Sequence, residues 1–415
     1  MSNFITNIKV NEIYHLKDFN IPISNTEKKH LIITGRNGSG KTILLNAIIE
    51  HLTNINSDSN LNFLNHRKNL STWETILSNA QKQNDKQQII NAESTVKFLN
   101  DNVNRFYGKV ELSFNDIISF AKDLHDNKLI VAFYGDERKS LFNEPKNPVK
   151  PNLQMGNDFK NNSKVDQFIN FMVDCKVQAA LAMNEGKNDD AGVINQWFDN
   201  FQNILRSLFN DKELTLEFNY KDYTFHIQSE GKSFKFTELS AGYSAALDII
   251  TDLILKMQTQ DSITRAYEKE GVVLIDEIET HLHLEMQKMI LPMLTTVFPN
   301  IQFIVTTHSP FVLNSLDNAV AYDLEHKQSI EDLTEYSYEA LTEGYFGVST
   351  ESDAIRTRLE QMEMLVNTPA LSPSQEKELE MYFADFDKIP EAVAPEIKAK
   401  YLQLKRTWNN KMQMK

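Results

Sequence analysis

Cysteine is nearly absent from this 415-residue chain, and the single residue, Cys175, excludes internal disulfides and any cysteine-based zinc site. No oxidising signature is present, so a cytoplasmic home is the default expectation. The start, Met1-Ser2-Asn3-Phe4-Ile5-Thr6, lacks the basic segment and long apolar core of a signal peptide. No stretch approaches the roughly 18–20 apolar residues of a membrane span. An excess of positive charge is missing too. The net charge of −14 argues against a generally basic, nucleic-acid-coating surface, although a local basic groove stays compatible with it. No internal repeat is visible. What is present is ordinary globular material: with 41% hydrophobic and 24% charged residues the chain can bury a sizeable core, and its length suits one large or two to three ordinary domains.

The chain is organised around Gly35-Arg36-Asn37-Gly38-Ser39-Gly40-Lys41-Thr42. A short β-branched run, residues 30–34, precedes it, and an apolar run, residues 43–50, follows without a break. This is strand, glycine loop and helix with the spacing of a phosphate-binding loop. The glycines let successive N–H groups curl inward at phosphate oxygens, and the helix adds its positive end. Gly35, Asn37, Gly38, Ser39 and Gly40 form the cradle. Lys41 should reach the β- and γ-phosphates, and the Thr42 hydroxyl should ligate Mg²⁺.

Three later segments complete a chemical set. Gly271-Val272-Val273-Leu274-Ile275-Asp276-Glu277 is a buried strand, expected beside the phosphate loop, that ends in two carboxylates. Asp276 can hold Mg²⁺ directly or through water, and Glu277 is placed to polarise an attacking water. Leu239-Ser240-Ala241-Gly242-Tyr243 precedes an amphipathic helix. There the Ser240 hydroxyl and the Gly242 N–H can meet a phosphate, or Ser240 can simply cap the helix. The run Ile301–Val305 is an apolar strand ending in Thr306-Thr307-His308-Ser309-Pro310, where His308 could bond a γ-phosphate or the attacking water.

The rest reads more coarsely. Two strands are expected within 4–23, one or two polar helices within 54–108, and strands at 110–114 and 128–134. A proline-rich loop spans 141–163, and helices follow at about 165–185 and 191–210, with an aromatic stripe that suits packing. A hairpin with a third strand covers 214–236. Beyond 325 helices are expected at 353–366, from a capping box at Ser372 to Gln375, and from Glu396, where the chain turns basic. That last helix could bind a partner or nucleic acid, or be a solvated tail. His281, His283 and Glu285 could form a metal cluster, but histidines two apart diverge on a helix or strand. Glu343-Gly344 with Asp385 and Asp387 weakly resembles a Toprim nuclease set, without a buried strand before it.

In order, these motifs resemble the ATP-binding-cassette ATPase superfamily. Residues 276–283, Asp-Glu-Ile-Glu-Thr-His-Leu-His, resemble its soluble branch of RecF, SMC-like and OLD-type proteins. The nearest likeness is to the anti-phage ATPases of Septu (PtuA-like), PARIS (AriA-like) and retron-associated systems. Ala132 to Arg138 is similar to a strand-plus-Ala-Glu-Arg element of that group, changed at Gly135-Asp136. The resemblance implies an α/β fold: an ABC-ATPase head, a mixed or parallel sheet around the phosphate loop, with helical insertions and a C-terminal helical extension. The head would comprise 1–55, 109–140 and 213–325. A polar helical insertion would occupy 56–108, a loop plus helical insertion 141–212, and a partner-binding extension 326–415. ATP and Mg²⁺ are the implied cofactors. Two heads would close head-to-tail on two ATPs, with Ser240 to Gly242 of one facing the loop of the other, and with Glu279, Thr280 and His281 at the seam. Catalysis falls to Glu277 and His308. Ala241 departs from the usual glycine, and no clear Q-loop glutamine exists; Asp136 or Glu137 takes its place. The function implied is an ATPase, a homodimer or higher homo-oligomer, that controls a separate effector, a nuclease, in phage defence, without membrane contact. A DNA-repair or DNA-clamp ATPase acting on DNA directly, and an ATP-sensing scaffold with negligible turnover, are the alternatives.

Overall fold

The strand ahead of the phosphate loop, β3 (His30–Thr34), is buried at all five positions, which requires cover on both faces. In the computed structural model, which describes residues 3–138, 142–151, 159–160, 163–258, 268–330, 353–388 and 395–413, β3 lies inside a six-stranded sheet. Its companions are β5 (Ile130–Tyr134), β9 (Gly271–Ile275), β10 (Ile301–Thr306), β11 (Ala319–Asp323) and β12 (Gln328–Ile330). The spatial order is β12-β11-β3-β10-β9-β5. The five strands from β11 to β5 run parallel, and β12 returns antiparallel on β11. The sheet is thus mixed and mainly parallel, and the molecule is of the α/β class.

One expectation is corrected here. The strand ending in Asp276-Glu277 does not lie beside β3; β10 stands between them, pairing Ile304 with both Leu31 and Leu274. Strand adjacency in a parallel sheet follows the crossover connections, which local pattern does not record. The consequence is chemical, because the β10 end now separates the phosphate loop from the carboxylates.

A second sheet, antiparallel in the order β2-β1-β4, is built from β1 (Ile5–Ile13), β2 (Leu16–Pro22) and β4 (Val110–Phe114). Between the sheets lies α1 (Lys41–Ser57), which starts at the phosphate loop and buries Leu44, Leu45, Ile48, Ile49, Leu52 and Ile55. The sheets are tied by Gln302, a fully buried amide on β10. It accepts from Ile5 N at 2.8 Å and donates to Ile5 O at 2.9 Å and Lys29 O at 2.8 Å, so its polar atoms are satisfied without water.

Two polar helices, α2 (His66–Gln83) and α3 (Lys86–Tyr107), form a hairpin closed by Asn84 at φ 56° and by Asp85, whose side chain caps Gln88 N at 3.1 Å. At its root Phe63 stacks on Phe106 at 5.5 Å, and Arg67 pairs in a fork with Glu111. Helices α5 (Phe168–Asn184) and α6 (Asn188–Phe209) put their aromatic stripe into the core, where Phe201 lies 5.2 Å from Phe168 and 5.6 Å from Trp197. The expected three-stranded meander is β6 (Thr215–Asn219), β7 (Thr224–Ser229) and β8 (Lys232–Lys235). It leads into α7 (Ala241–Met257). Helices α4 (Ile117–His125) and α8 (Leu284–Val297) and the four-residue α9 (Pro310–Leu313) go beyond what the sequence pattern predicts.

The chain divides into two compact units, Met1–Leu341 and Thr342–Lys415. In the second, helices Asp353–Asn367, Pro373–Asp387 and Pro395–Gln413 pack around Met362, Leu379, Phe386 and Tyr401. Ser372 and Gln375 form the expected capping box. The basic last helix spends its lysines inside the unit. Lys398 donates to Phe386 O and Asp387 O, Lys411 to Val366 O and Thr368 O, and Lys405 pairs with Asp387 at 2.7 Å. Lys398 and Lys411 are cations on helix C-terminal carbonyls, where the dipole favours them. Glu343 and Gly344 lie outside the described residues.

Candidate functional site

The phosphate loop takes the backbone its glycines allow. Gly35, Gly38 and Gly40 have φ of 141°, 83° and 100°. At Gly40 a Cβ would also sit 3.0 Å from Leu16 Cδ1 and 3.2 Å from His15 Nε2, so those side chains would have to give by a few tenths of an ångström. Ser39 N donates to Arg36 O at 3.1 Å, which curls the loop. Among the described residues the buried Ser39 hydroxyl has no hydrogen-bond partner, a polar atom in a loop that suits phosphate oxygens. Lys41 is buried, and its Nζ donates to Gly35 O at 2.8 Å and Arg36 O at 3.2 Å. Thr42 is exposed in the first turn of α1. Asn37 is exposed on the loop.

The β10 end builds the neighbouring half. Thr306 Oγ1 donates to Asp276 Oδ1 at 2.6 Å and accepts from Glu277 N at 2.7 Å. Thr307 Oγ1 donates to Glu279 Oε2 at 2.8 Å, and the same carboxylate accepts from His308 N. His308 Nε2 stands 4.0 Å from Glu277 Oε1. No hydrogen bond reaches Asp276 Oδ2 among the described residues, which leaves a hard oxygen at the strand end. That donor, with the Thr42 hydroxyl, fits a magnesium ion's preference for oxygen. Glu277 itself sits at φ 45°, a left-handed backbone that a glutamate rarely adopts.

The electrostatics tie these groups into one neighbourhood. Burial pushes the Lys41 ammonium below the ordinary lysine range, while the charges of Glu277, Asp276, Glu279 and Glu325 oppose that shift. Burial and the Lys41 charge lower His308, so it is neutral at pH 7 and can accept or donate a hydrogen bond. Burial raises the Glu279 carboxyl against the bonds from His308 N and Thr307.

Ser240 and Gly242 stand at the start of α7. Ser240 is exposed at the start of α7, and its hydroxyl makes no capping bond. Gly242 is buried against the segment after Glu277: a Cβ there would sit 3.0 Å from His281 O. Among the described residues no hydrogen bond joins Ser240 or Gly242 to Lys41, Asp276 or Glu277. After β5, Asp136 and Glu137 are exposed, whereas the next residue, Arg138, is buried. Arg138, Glu279 and the Thr306-Thr307 pair carry structure at the site that motif spacing does not assign. A pair of threonines closing an apolar strand was the available signal.

A parallel sheet with a phosphate loop on one strand, a polar switch on the next and paired carboxylates on the third defines an ABC-type P-loop ATPase head. Residues 31–314 match the family described as "AAA domain, putative AbiEii toxin, Type IV TA system", and the chain belongs to that family. It is 30% identical over 196 residues to the Septu protein PtuA of Bacillus mycoides (strain KBAB4), covering 45% of this chain and 27% of that protein. It is 23% identical over 379 residues to the Retron Vc95 probable ATPase of Vibrio cholerae serotype O1 biovar El Tor, covering 76% of this chain and 74% of that one. The chain thus spans about a quarter of the length of the first relative and about three quarters of the second. Both belong to groups that the motifs resemble. Among solved structures, the SMC head bound to the C-winged helix domain of ScpA aligns at 15% identity and a TM-score of 0.38, over 77% of this chain and 94% of that one.

Proposed function

We propose that this chain binds and hydrolyses ATP, that two copies close head-to-tail around two nucleotides, and that the cycle controls a separate effector, a nuclease, in anti-phage defence. The observation that carries the reading is the convergence of Lys41, Asp276, Glu277 and His308 from the ends of three adjacent strands.

The loop N–H groups and Lys41 hold the β- and γ-phosphates. Thr42 and Asp276 would hold Mg²⁺, which would neutralise phosphate charge when bound. Glu277 accepts a proton from a water whose oxygen attacks the γ-phosphorus. The bond to the bridging oxygen breaks, and ADP and phosphate result. Neutral His308 orients the water or a γ-oxygen. The exposed helix start at Ser240 supplies donors to the nucleotide on the sister copy. Nucleotide therefore acts as an adhesive between copies, and hydrolysis releases them. Two things favour control of an effector over a second activity within the chain: its defence-system relatives, and the internal use of the last helix's lysines.

Glu277→Gln tests the reading. The variant should bind ATP, lose turnover by a factor on the order of 10²–10⁴, and accumulate as an ATP-dependent dimer by light scattering after size exclusion. Turnover equal to the parent's, or a monomer at saturating ATP, refutes it.

A further inference from the structure

One buried cation near the site has no part in the mechanism above. Arg138 follows β5 and is 7% exposed. Its guanidinium points at the turn after β9. One terminal nitrogen donates to Ile278 O at 3.2 Å; the other donates to Asp276 O at 3.2 Å and to Glu277 O. Three successive carbonyls thus converge on one side chain. The same turn holds Glu277 in its left-handed conformation, with φ 45°. That backbone costs on the order of 1–2 kcal/mol for a residue with a Cβ, so something must over-determine it. The other side of the turn is held by β10: Glu277 N donates to Thr306 Oγ1, and Ile278 N to Thr306 O at 3.1 Å. Between Thr306 and Arg138 the turn's N–H and C=O groups are almost all fixed. A planar guanidinium can meet three diverging carbonyls, whereas an ammonium on a flexible stem meets them as a point charge.

Acidic groups lie around Arg138. Burial lowers its pKa, and the charges of Glu279, Asp248, Asp276 and Asp136 oppose that shift. Asp248 lies on α7, four residues before Asp252, which accepts from the Tyr134 hydroxyl at the end of β5 at 2.7 Å. The loop carrying Arg138 is therefore bound to the helix that begins at Ser240.

We propose that Arg138 is a positioning residue: by gripping the carbonyls of Asp276, Glu277 and Ile278 it fixes the direction of the Glu277 carboxylate, and it governs turnover without governing nucleotide affinity. This rests on the ATPase reading. The full-length chain is compared with Arg138→Lys, Arg138→Ala and Glu277→Gln, with MgADP affinity measured by calorimetry and ATP turnover measured separately. Both Arg138 variants should bind MgADP as the parent does. Their kcat should fall by on the order of 10², the effect of small misplacements at a reacting centre. Millimolar guanidinium should restore part of the Arg138→Ala rate and none of the Glu277→Gln rate. A parental kcat in Arg138→Lys overturns the inference. So does loss of MgADP binding together with turnover, which would make Arg138 a folding residue. If parent and Glu277→Gln hydrolyse ATP equally, the ATPase reading itself fails. A parent that needs Glu277 but not Arg138 keeps that reading and removes only the inference.

Discussion

Thr306 offers the sharpest test of how the site is held. Its side chain is fully buried and does two things: it donates to a carboxylate, Asp276, at 2.6 Å, and accepts from Glu277 N at 2.7 Å. Thr306→Val keeps the shape and removes both bonds. A hydrogen bond to a charged group contributes about 1.5–3 kcal/mol, and a buried N–H left without a partner costs about 1–3 kcal/mol. The extra methyl offsets about 1 kcal/mol by burial. The net loss should be about 3 kcal/mol. At about 2 °C per kcal/mol for a unit of this size, the melting temperature should drop by roughly 6 °C. Thr306→Ser keeps both bonds and loses one methyl, a cost of about 1 kcal/mol. Turnover should separate the variants further, since valine releases the Asp276 carboxylate and the Glu277 N–H while serine does not. Differential scanning calorimetry and a phosphate-release assay read the two effects. A valine variant that melts no lower than the serine variant, with equal turnover, would refute the assignment of Thr306 as the tie between the carboxylates.

Other outcomes follow from the same geometry. Ser240→Arg places a long charged side chain at an exposed position whose hydroxyl caps nothing; it should leave the melting temperature unchanged while abolishing the ATP-dependent dimer of the Glu277→Gln chain in light scattering. Gly40→Ala should destroy nucleotide binding in calorimetry and cost about 1–3 kcal/mol in urea unfolding, because φ is 100° and the new Cβ meets Leu16 and His15. Acid stability involves two opposed groups. Burial lowers His30 from 6.5 to about 4, so between those values the unfolded chain takes a proton that the native state refuses, and stability falls with pH. Burial raises Asp248 from 3.8 to about 6, so in the overlapping range the native state takes the proton first, and stability rises as pH falls. Each amounts to about 3 kcal/mol over its full range at about 1.4 kcal/mol per pH unit. Asp248→Asn should therefore lose stability more steeply than the parent between pH 7 and 5 in urea unfolding; equal slopes would contradict the opposition.

The sequence makes the strand–loop–helix around Gly35–Thr42 readable because glycine spacing, flanking runs and backbone conformation are set by the same few residues. The run Val272–Ile275 is readable for a similar reason: a strand covered on both faces is apolar at every position. The rank of β10 between β3 and β9 is not readable, since it depends on crossovers spanning the whole chain. Arg138 is readable as the end of an Ala-Glu-Arg-like element, but its role is not. A lone arginine after a strand has no periodicity, and its meaning lies in three carbonyls 138–140 residues away. The terminal helix is misleading in the opposite sense. Its lysines read as a basic surface, yet Lys398 and Lys411 close the ends of the two helices beside it.

One physical theme joins these places: cations seated on clusters of backbone carbonyls. The clusters near the site differ in what a nucleotide would ask of them. Lys41 donates to Gly35 O and Arg36 O, neutral acceptors within the loop that curls around phosphate. A triphosphate offers it anionic oxygens, which add opposite-charge attraction that neutral carbonyls lack. Lys41 should therefore leave those carbonyls on binding. Arg138 has no such exchange to make. Its three carbonyls belong to the turn that aims Glu277, and it is buried and bounded by acidic groups on α7 and the strand ends. The cation that moves serves affinity and the cation that stays serves geometry. Substitution at Lys41 should thus appear first in nucleotide affinity, and substitution at Arg138 in turnover.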